Sequence, residues 1–485
     1  MKECKLILED EVNCKFEGLD PATRRKMVNK MKYFVPWAYH TPSYKLGRWD
    51  GTISFCSLGA KLQINLLENV LPIVEEKYDI NLIDNRNSFK FDFEKIDENV
   101  ISHKKWPIGH ERENDPIVLR EHQVKIINDF LENPQSIVEA STASGKTIIT
   151  AVLSYIFEKL GRTIVIVPTK NLVVQTEQDY KNIGLDVGVY YGDRKEIDHQ
   201  HVICTWQSIE ALNKKGKKFN QDLVNVFLED VVCVMVDEVH NVRGDTLHGI
   251  LCNSMKNIPI RLGLTGTIPS EEYFYFNLLG AIGPVTGSVT AKELQDKEIL
   301  SNCFIDICQI KEPLDFKEYK KETDYLVKDT DRLEFISENI IKKAAENGNT
   351  LVLVDKIETG EKLNKLIENS VFISGNMKSE DRKKHYDSIN NNDNMVLIAT
   401  CGVCSTGINV PRLFNVILIE PGKSYIKIIQ SIGRGLRKAK DKDFVHIYDV
   451  CSTTKYSKKH LTERKKHYKK VEYDFKVTKY DRQTL

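Results

Sequence analysis

The sequence predicts an α/β protein with two consecutive parallel-sheet lobes behind a small α+β segment. From about residue 117 to 280, nearly continuous apolar runs such as SIVEA, TIVIV and VVCVMV alternate with helical stretches. A second set of apolar runs, TLVLV, MVLIAT, NVILIE and FVHIYD, follows with helices between them. The first 112 residues instead place short strands around one basic helix. Apolar strands separated by helices indicate parallel sheets covered on both faces.

Length and charge agree with a folded, multidomain protein. The chain has 485 residues, of which 41% are hydrophobic, and 70 Lys plus Arg nearly balance 69 Asp plus Glu. At roughly 100 to 200 residues per domain, about three domains are expected, which excludes a single small module. No stretch resembles a membrane span or a signal core, and the eleven cysteines are scattered. We therefore expect a cytoplasmic protein with reduced, mostly buried cysteines.

We predict boundaries at 1–112, 113–285, 286–451 and 452–485. The last segment carries 11 Lys plus Arg against 4 Asp plus Glu, and we expect a basic tail packed on the second lobe with Tyr456 and Leu461 facing inward. In the first segment, Asp20 and Pro21 predict the start of a helix, and Trp49 precedes an Asp-Gly turn that suggests a hairpin. Cys401 and Cys404 have C-x-x-C spacing, but no second pair at a suitable distance supports a metal site.

The segment ASTASGKT, between the strand SIVEA and an apolar helix, predicts a phosphate-binding loop. In such a loop, backbone N–H groups surround a polyphosphate at a helix N-terminus. Gly145 provides the turn, Lys146 reaches the terminal phosphates, and the Thr147 hydroxyl holds Mg²⁺. Ala140 stands where the pattern has its first glycine, so a Ser/Thr-rich turn is the alternative for the motif alone.

Two adjacent carboxylates follow the buried strand VVCVMV. Asp237 and Glu238 begin the segment DEVH at the end where open α/β sheets bind ligands. We predict that Asp237 holds Mg²⁺ and that Glu238 polarises the attacking water. An acidic pair after a strand is more often a solvated cap, but the phosphate loop in the same sheet favours the catalytic interpretation.

The second lobe ends in QSIGRGLR. Arg434 and Arg437 are three residues apart and share one helical face, so both could reach one phosphate. A guanidinium that stabilises the γ-phosphoryl raises the rate by roughly 10³ to 10⁵. An exposed basic helix is the alternative if this run is considered alone.

Taken in order, these segments resemble superfamily 2 helicases and translocases, which have two RecA-like lobes with ATP in the cleft between them. The resemblance covers about two thirds of the chain and implies the following roles. Nucleotide contacts are Arg120, Gln123, Ser144, Gly145, Lys146, Thr147, Gly407 and Asn409. Catalytic residues are Lys146, Asp237, Glu238, Gln430, Arg434 and Arg437. Nucleic-acid contacts are Pro168, Thr169, Gln175, Thr205, Gln207, Ser374, Gly375 and Thr400. His240, Thr265, Gly266 and Thr267 couple hydrolysis to movement. The implied cofactors are ATP and Mg²⁺.

Some details depart from the common family pattern. The box reads DEVH and not DEAD, which argues against the classical RNA-helicase subgroup, and Ser431 replaces an arginine that many relatives carry. Gln430 resembles the DNA-translocating branches.

The segment GRWDG and the basic helix before it are similar to a tailed-phage branch of this family that acts on branched DNA. This resemblance implies unwinding and branch migration of forks, four-way junctions and R-loops during recombination, repair and replication. A monomer in the host cytoplasm, with single-strand-binding or recombination proteins as possible partners, would fit. The implied DNA contacts in this segment are Arg24, Arg25, Lys30, Lys45, Arg48 and Trp49. The alternative is a solvated basic face with Trp49 in a small core.

Three other functions stay open. The chain could be a double-strand DNA translocase that does not unwind, although no nuclease constellation accompanies it. It could be an RNA helicase, because backbone grips distinguish sugars poorly. It could also be an annealing or binding protein that uses ATP as a switch, which the intact DEVH box and the two arginines oppose.

Overall fold

A computed structural model describes residues 2–86, 91–108, 112–141, 144–219, 222–375, 377, 379–405, 410–422, 433, 436, 438–439 and 441–482. The chain forms two compact units. The first contains residues 1–140 and 145–288, and the second contains residues 141–144 and 289–485. No helix in these ranges is long and apolar enough to cross a membrane.

The N-terminal segment contains two small sheets. Its strands are β1 (Lys2–Leu8), β2 (Asn13–Glu17), β3 (Lys32–Phe34), β4 (Thr52–Ser54), β5 (Lys61–Gln63) and β6 (Tyr78–Asp84), and its helices are α1 (Pro21–Lys30), α2 (Pro42–Lys45) and α3 (Leu71–Glu75). One sheet has the order β5-β2-β1-β6, and β3 pairs with β4 as an antiparallel hairpin. The helix start predicted from Asp20 is confirmed, because the Asp20 carboxylate accepts a hydrogen bond of 2.7 Å from the Thr23 N–H.

The rest of the first unit is built on one large sheet. Its strands are β7 (Gln135–Ala140), β8 (Arg162–Ile166), β9 (Val187–Tyr191), β10 (Arg194–Lys195), β11 (His201–Cys204), β12 (Val231–Asp237), β13 (Ile260–Thr265) and β14 (Val285–Val289). Its helices are α4 (Glu121–Glu132), α5 (Lys146–Phe157), α6 (Lys170–Asn182), α7 (Trp206–Phe219), α8 (Leu223–Phe227), α9 (Asp245–Gly249) and α10 (Glu272–Ala281). The strand order is β10-β9-β11-β8-β12-β13-β7-β14, and the pairs from β9 through β7 are parallel, as predicted.

Aromatic packing joins the N-terminal segment to α10. The rings of Tyr33 and Phe276 stack with centroids 4.2 Å apart, and Phe276 and Leu279 pack against the apolar core of the N-terminal sheet. The boundary predicted at 112 lies between β6 and α4, inside the first unit.

The second unit carries another parallel sheet. Its strands are β15 (Asn302–Lys311), β16 (Thr350–Val354), β17 (Ser370–Ile373), β18 (Val396–Thr400), β19 (Asn415–Ile419), β20 (Phe444–Ser452) and β21 (Phe475–Asp481). Its helices are α11 (Ala291–Asp296), α12 (Tyr319–Lys328), α13 (Thr330–Ile336), α14 (Lys342–Ala345), α15 (Ile357–Leu366), α16 (Ser379–Asn391), α17 (Cys401–Ser405) and α18 (Lys455–Lys470). The order β17-β18-β16-β19-β20-β15-β21 is parallel at every pair, so the tandem parallel-sheet architecture is confirmed.

The C-terminal residues are an integral part of this unit. Strand β21 pairs with β15, and α18 is anchored by buried charge. Arg464 forms two hydrogen bonds of 2.8 and 2.9 Å to the Asp449 carboxylate, which also accepts one from Tyr468 at 2.9 Å. All three residues are buried. Leu461 points inward as predicted, whereas Tyr456 is only half-buried.

Candidate active site

The predicted functional residues of the first unit lie at one edge of its sheet. Thr205 follows β11, Thr169 follows β8, Asp237 ends β12, Thr265 ends β13, and the loop before Gly145 follows β7. These five strands are consecutive neighbours in the sheet order and run parallel, so their carboxyl ends meet at the same edge. Five segments that are far apart in sequence are therefore brought together.

The loop before α5 needs a glycine at position 145. Gly145 has φ +87° and ψ +37°, the left-handed conformation, and it directly precedes the first residue of the helix. A Cβ at this position would overlap the Nε2 atom of Gln123. Gln123 is held from its other end, because its Oε1 accepts a 3.0 Å hydrogen bond from the Arg120 N–H. Arg120 and Gln123 were both predicted to contact the nucleotide. Arg120 holds Gln123 so that the Gln123 amide lies against Gly145 of the phosphate loop.

Lys146 meets both carboxylates of the DEVH box. Its ammonium nitrogen lies 2.9 Å from Glu238 Oε1 and 3.7 Å from Asp237 Oδ1. The side chains of Lys146, Asp237 and Glu238 are 15%, 23% and 21% exposed, so the cluster is shielded but still reachable from solvent. Glu238 is in the left-handed region at φ +50°, a strained conformation for a side-chain-bearing residue that aims its carboxylate at Lys146.

The two carboxyls of the box have opposite pKa shifts. Burial raises the pKa of Asp237, and the charge of Glu238 adds to this rise against the lowering effect of Lys146. Burial also acts to raise the pKa of Glu238, but the Lys146 ammonium and the hydrogen bond from His240 outweigh it and hold that pKa below its ordinary value. The pair therefore offers one firmly ionised carboxylate, Glu238, beside a less acidic one.

A chain of contacts runs from Glu238 to the segment after β13. His240 Nδ1 lies 3.2 Å from Glu238 Oε2 and 2.9 Å from Thr265 Oγ1. The Thr265 hydroxyl donates to the Thr267 carbonyl and accepts from the Thr267 N–H, which leaves it to accept from His240. This assigns the imidazole proton to Nδ1. The buried Thr267 hydroxyl has no hydrogen-bond partner within the described residues.

These features suit a nucleoside triphosphate. A helix N-terminus behind a left-handed glycine offers N–H groups to phosphates, and Lys146 adds a cation at the same place. Thr147, partly exposed in the first turn of α5, and Asp237 supply oxygen ligands of the kind Mg²⁺ prefers. The residues present therefore fit an ATP–Mg²⁺ site.

Thr169 and Thr205, two of the predicted nucleic-acid contacts, lie at helix starts, and Gln175 lies in the second turn of α6. The Thr169 hydroxyl caps α6 by accepting from the Leu172 N–H at 3.4 Å, and the Thr205 hydroxyl lies 3.0 Å from Ser208 Oγ at the start of α7. Pro168 is half-buried, whereas Gln175 and Gln207 are exposed.

Part of the predicted set in the second unit is also grouped. Ser374 and Gly375 follow β17, Thr400 ends β18, and these strands are parallel neighbours. The Gly375 carbonyl accepts a 2.8 Å hydrogen bond from Arg382. Gly407, Asn409, Gln430, Arg434 and Arg437 lie outside the described residues.

In the N-terminal segment the structure distinguishes exposed cations from a half-buried tryptophan. Arg25, Lys30 and Arg48 are exposed, and Arg24 is half-buried with its Nε donating to the Leu19 carbonyl. The Trp49 ring packs in an aromatic cluster, and its indole N–H donates to the Thr52 carbonyl at 2.8 Å.

Three exposed aromatic residues that lie near Trp49 in the sequence were not predicted to be functional. Phe34, Trp37 and Tyr39 are 37%, 37% and 59% exposed. The density of aromatic residues between 33 and 49 was the available signal.

Comparison with known families matches both lobes. The family described as "Type III restriction enzyme, res subunit" matches residues 116–270, and the family "Helicase conserved C-terminal domain" matches residues 331–439. The first range contains the phosphate loop and the DEVH box. The second begins in α13 and ends beyond the predicted arginines.

Similar proteins include an ATP-dependent DNA helicase and a restriction-modification enzyme. The ATP-dependent DNA helicase UvsW of Enterobacteria phage T4 is 24% identical over 455 residues, covering 88% of this chain and 86% of that protein. The crystal structure of T4 UvsW covers 99% of this chain and 100% of that one, at 19% identity and a TM-score of 0.47.

Two further structures share the fold. The ATP-dependent Type ISP restriction-modification enzyme LlaBIII bound to DNA has a TM-score of 0.56 at 15% identity, covering 86% of this chain and 36% of that one. Yeast Dbp5 bound to RNA and ADP BeF3 has a TM-score of 0.51 at 16% identity, covering 76% of this chain and 90% of that one. Tandem RecA-like lobes, both matched families and the similarity to UvsW identify this chain as a member of superfamily 2, an ATP-hydrolysing helicase that resembles UvsW.

Proposed function

We propose that the chain is a DNA helicase that unwinds or branch-migrates branched DNA, such as forks, four-way junctions and R-loops, in recombination, repair and replication. The observation that carries the proposal is the extent of the similarity to UvsW. The similarity covers 88% of this chain. Residues 116–485 make up a smaller share of the chain than that. The matched region therefore includes part of the N-terminal segment, which lies outside both matched helicase families. A basic segment beside a motor offers a second place where another arm of a branched substrate can bind.

In the proposed hydrolysis step, each residue of the cluster has one role. Lys146 binds the terminal phosphates, and Thr147 and Asp237 hold Mg²⁺, which neutralises charge on the phosphates when bound. Glu238 orients the attacking water and accepts its proton. The lowered pKa of Glu238 keeps its carboxylate ionised, so that it can orient the water. The ion pair between Lys146 and Glu238 holds both side chains in place at the helix N-terminus.

Movement along DNA requires grips on the strand that change with hydrolysis. Thr169, Thr205 and Thr400 are proposed to contact phosphates, and the link from Glu238 through His240 to Thr265 connects chemistry to the coupling segment. Because phosphate contacts carry no sequence information, we expect weak sequence specificity and strong salt sensitivity. Arg434 and Arg437 are proposed to stabilise charge on the γ-phosphoryl group.

The substrate is tested by the steady-state ATPase rate on a matched panel. The panel contains single-stranded DNA, plain duplex, a four-way junction, an R-loop and single-stranded RNA, with the Glu238→Gln protein as the blank. We expect the four-way junction and the R-loop to stimulate ATPase at least about tenfold more than plain duplex does at equal nucleotide concentration, a ratio within the range that separates specific from non-specific binding. Stimulation by duplex alone would instead indicate a translocase, and stimulation by RNA alone an RNA helicase.

His240→Ala should separate hydrolysis from unwinding. Removing the imidazole breaks the contacts to Glu238 and Thr265 but leaves Lys146 and both carboxylates in place. We expect ATPase without DNA to stay within a few-fold of wild type, while base pairs opened per ATP fall by roughly tenfold, within the usual range of coupling between sites. His199→Ala, which removes an imidazole paired with Asp186, is the control. Parallel losses of ATPase and unwinding would show that His240 serves the chemistry itself.

A further inference from the structure

Four aromatic rings of the N-terminal segment form a surface that the hydrolysis site does not use. We define this ring patch as Phe34, Trp37, Tyr39 and Tyr44, which lie on β3, on the turn after it and on α2. Phe34 and Trp37 are each 37% exposed and Tyr39 is 59% exposed. Exposed rings that contact one another, as Phe34 and Tyr39 do, are unusual on a protein surface and mark an interaction site.

The rings are held in fixed positions. Phe34, Tyr39 and Tyr44 contact one another with centroid separations of 4.9, 5.8 and 5.2 Å. The backbone of Gly51 packs directly beneath them, since a Cβ there would lie 2.5 Å from Phe34 and 2.9 Å from Tyr44, and its φ of +80° also favours glycine. Because the rings are already ordered, a ligand that stacks on them loses little side-chain entropy.

The fourth ring, Trp37, is held in place by helix α10 of the same unit. Trp37 stacks on Phe274 with centroids 5.8 Å apart and planes at 29°, and it meets Tyr273 edge-on at 5.3 Å. Both partners are residues of α10. The patch is therefore anchored at one end to the helix on which the N-terminal segment packs.

The charge around the patch selects a polyanion. Residues 20–55 contain seven lysines and arginines and two aspartates. In β3 the side chains of Lys32 and Phe34 share one exposed face, and Lys45 and Arg48 are exposed on either side of the turn after Tyr44. An apolar protein partner would gain nothing from this basic rim, whereas a nucleic acid offers bases to the rings and phosphates to the cations.

We propose that the ring patch is a stacking platform for the bases of single-stranded DNA, with Lys45 and Arg48 contacting the phosphates. The inference rests on the proposed function. It adds a second contact between the protein and its substrate, in which the ring patch binds the unpaired arm of a fork. Trp49 supports this surface from below, because its N–H is bonded to Thr52 and its ring is part of the packed cluster.

The test compares the full-length wild-type protein with Tyr39→Ala in binding to an oligothymidylate and to a blunt duplex. Stacking contributes about 1–3 kcal/mol per base, so we expect the affinity for the oligothymidylate to fall by about 5- to 150-fold and that for duplex to stay within about twofold. Tyr39→Phe, which keeps the ring, should bind like wild type. Leu58→Ala, which truncates a side chain that is 69% exposed, is the control for loss of apolar surface.

The salt dependence of DNA binding distinguishes base stacking from contacts to phosphates. Tyr39→Ala should leave the slope of log affinity against log salt unchanged, while Lys45→Ala with Arg48→Ala should reduce it by up to about 2 on both DNAs. Basal ATPase, measured without DNA, should be unaffected in the control Leu58→Ala.

Two failures can be told apart. If the wild-type protein binds oligothymidylate no better than Tyr39→Ala does, the ring patch is not a stacking platform. A protein partner would then be the alternative ligand of the patch. Wild-type ATPase that no branched DNA stimulates would overturn the proposed function. Equal losses on an RNA oligomer of the same sequence would support stacking, since rings do not distinguish the sugars.

Discussion

Glu238→Gln should lower the ATPase rate by about 10²- to 10⁴-fold, the usual contribution of a positioned general base, while ATP binding survives. The glutamine keeps the size of the side chain and an oxygen that can accept from Lys146, but it cannot take a proton from water. Because the change also removes the negative charge 2.9 Å from Lys146, the lysine becomes more available to phosphates. Nucleotide affinity should therefore be unchanged or tighter.

Steady-state hydrolysis and equilibrium binding of a fluorescent ATP analogue measure these two properties separately. Glu229→Gln is the matched control, because Glu229 is exposed and lies just before the strand that leads to the box. Equal losses of hydrolysis and nucleotide affinity would show that Glu238 builds the site and does not act in the chemistry.

Arg464→Ala should lower the free energy of unfolding of the second lobe by about 3 to 5 kcal/mol, the cost of leaving a buried charge without its partner. Arg464 is fully buried, and its loss leaves the equally buried Asp449 carboxylate with Tyr468 as its one remaining side-chain donor among the described residues. Its third contact, a 2.8 Å hydrogen bond to the Gly422 carbonyl, is lost as well. The expected result is an earlier calorimetric transition for the second lobe.

Two variants test whether the buried charge is responsible. Lys466→Ala removes an exposed ion pair with Glu463 on the same helix and should change stability by no more than about 1 kcal/mol. Arg464→Met combined with Asp449→Leu replaces both charges by apolar groups and should recover most of the loss. If the double variant is as unstable as Arg464→Ala, the loss of stability comes from packing and not from the buried charge.

The regular elements were predictable because their signals are local. Strands β12 and β16 are apolar at almost every position, which is what burial of both faces of a parallel sheet requires. The rule that ligands bind at carboxyl ends of such strands then predicted that Lys146 and Asp237 would be neighbours, as the structure shows.

Other features depend on contacts between distant residues and left no periodic signal. The tail was expected to pack through Tyr456 and Leu461, and Leu461 is buried. Arg464 and Tyr468 are buried as well, and these were not expected because their residue types are usually exposed or intermediate. Their burial depends on Asp449 of β20, 15 residues before Arg464, which no local pattern reveals. The ring patch was missed for a similar reason, because exposure of Tyr39 depends on how the hairpin packs on α10.

The sequence by itself determined the fold class, the order of the lobes and the residue types of the ATP site, because hydrophobic periodicity and short motifs are written along the chain. Tertiary structure alone decided the pairing of Lys146 with Glu238, the link through His240 to Thr265, and which N-terminal rings face solvent. The first two depend on strand ends that the parallel sheet brings together, across 92 residues in the case of Lys146 and Glu238, and the third depends on how the N-terminal segment packs on α10. Such contacts between distant segments exist only once the chain has folded.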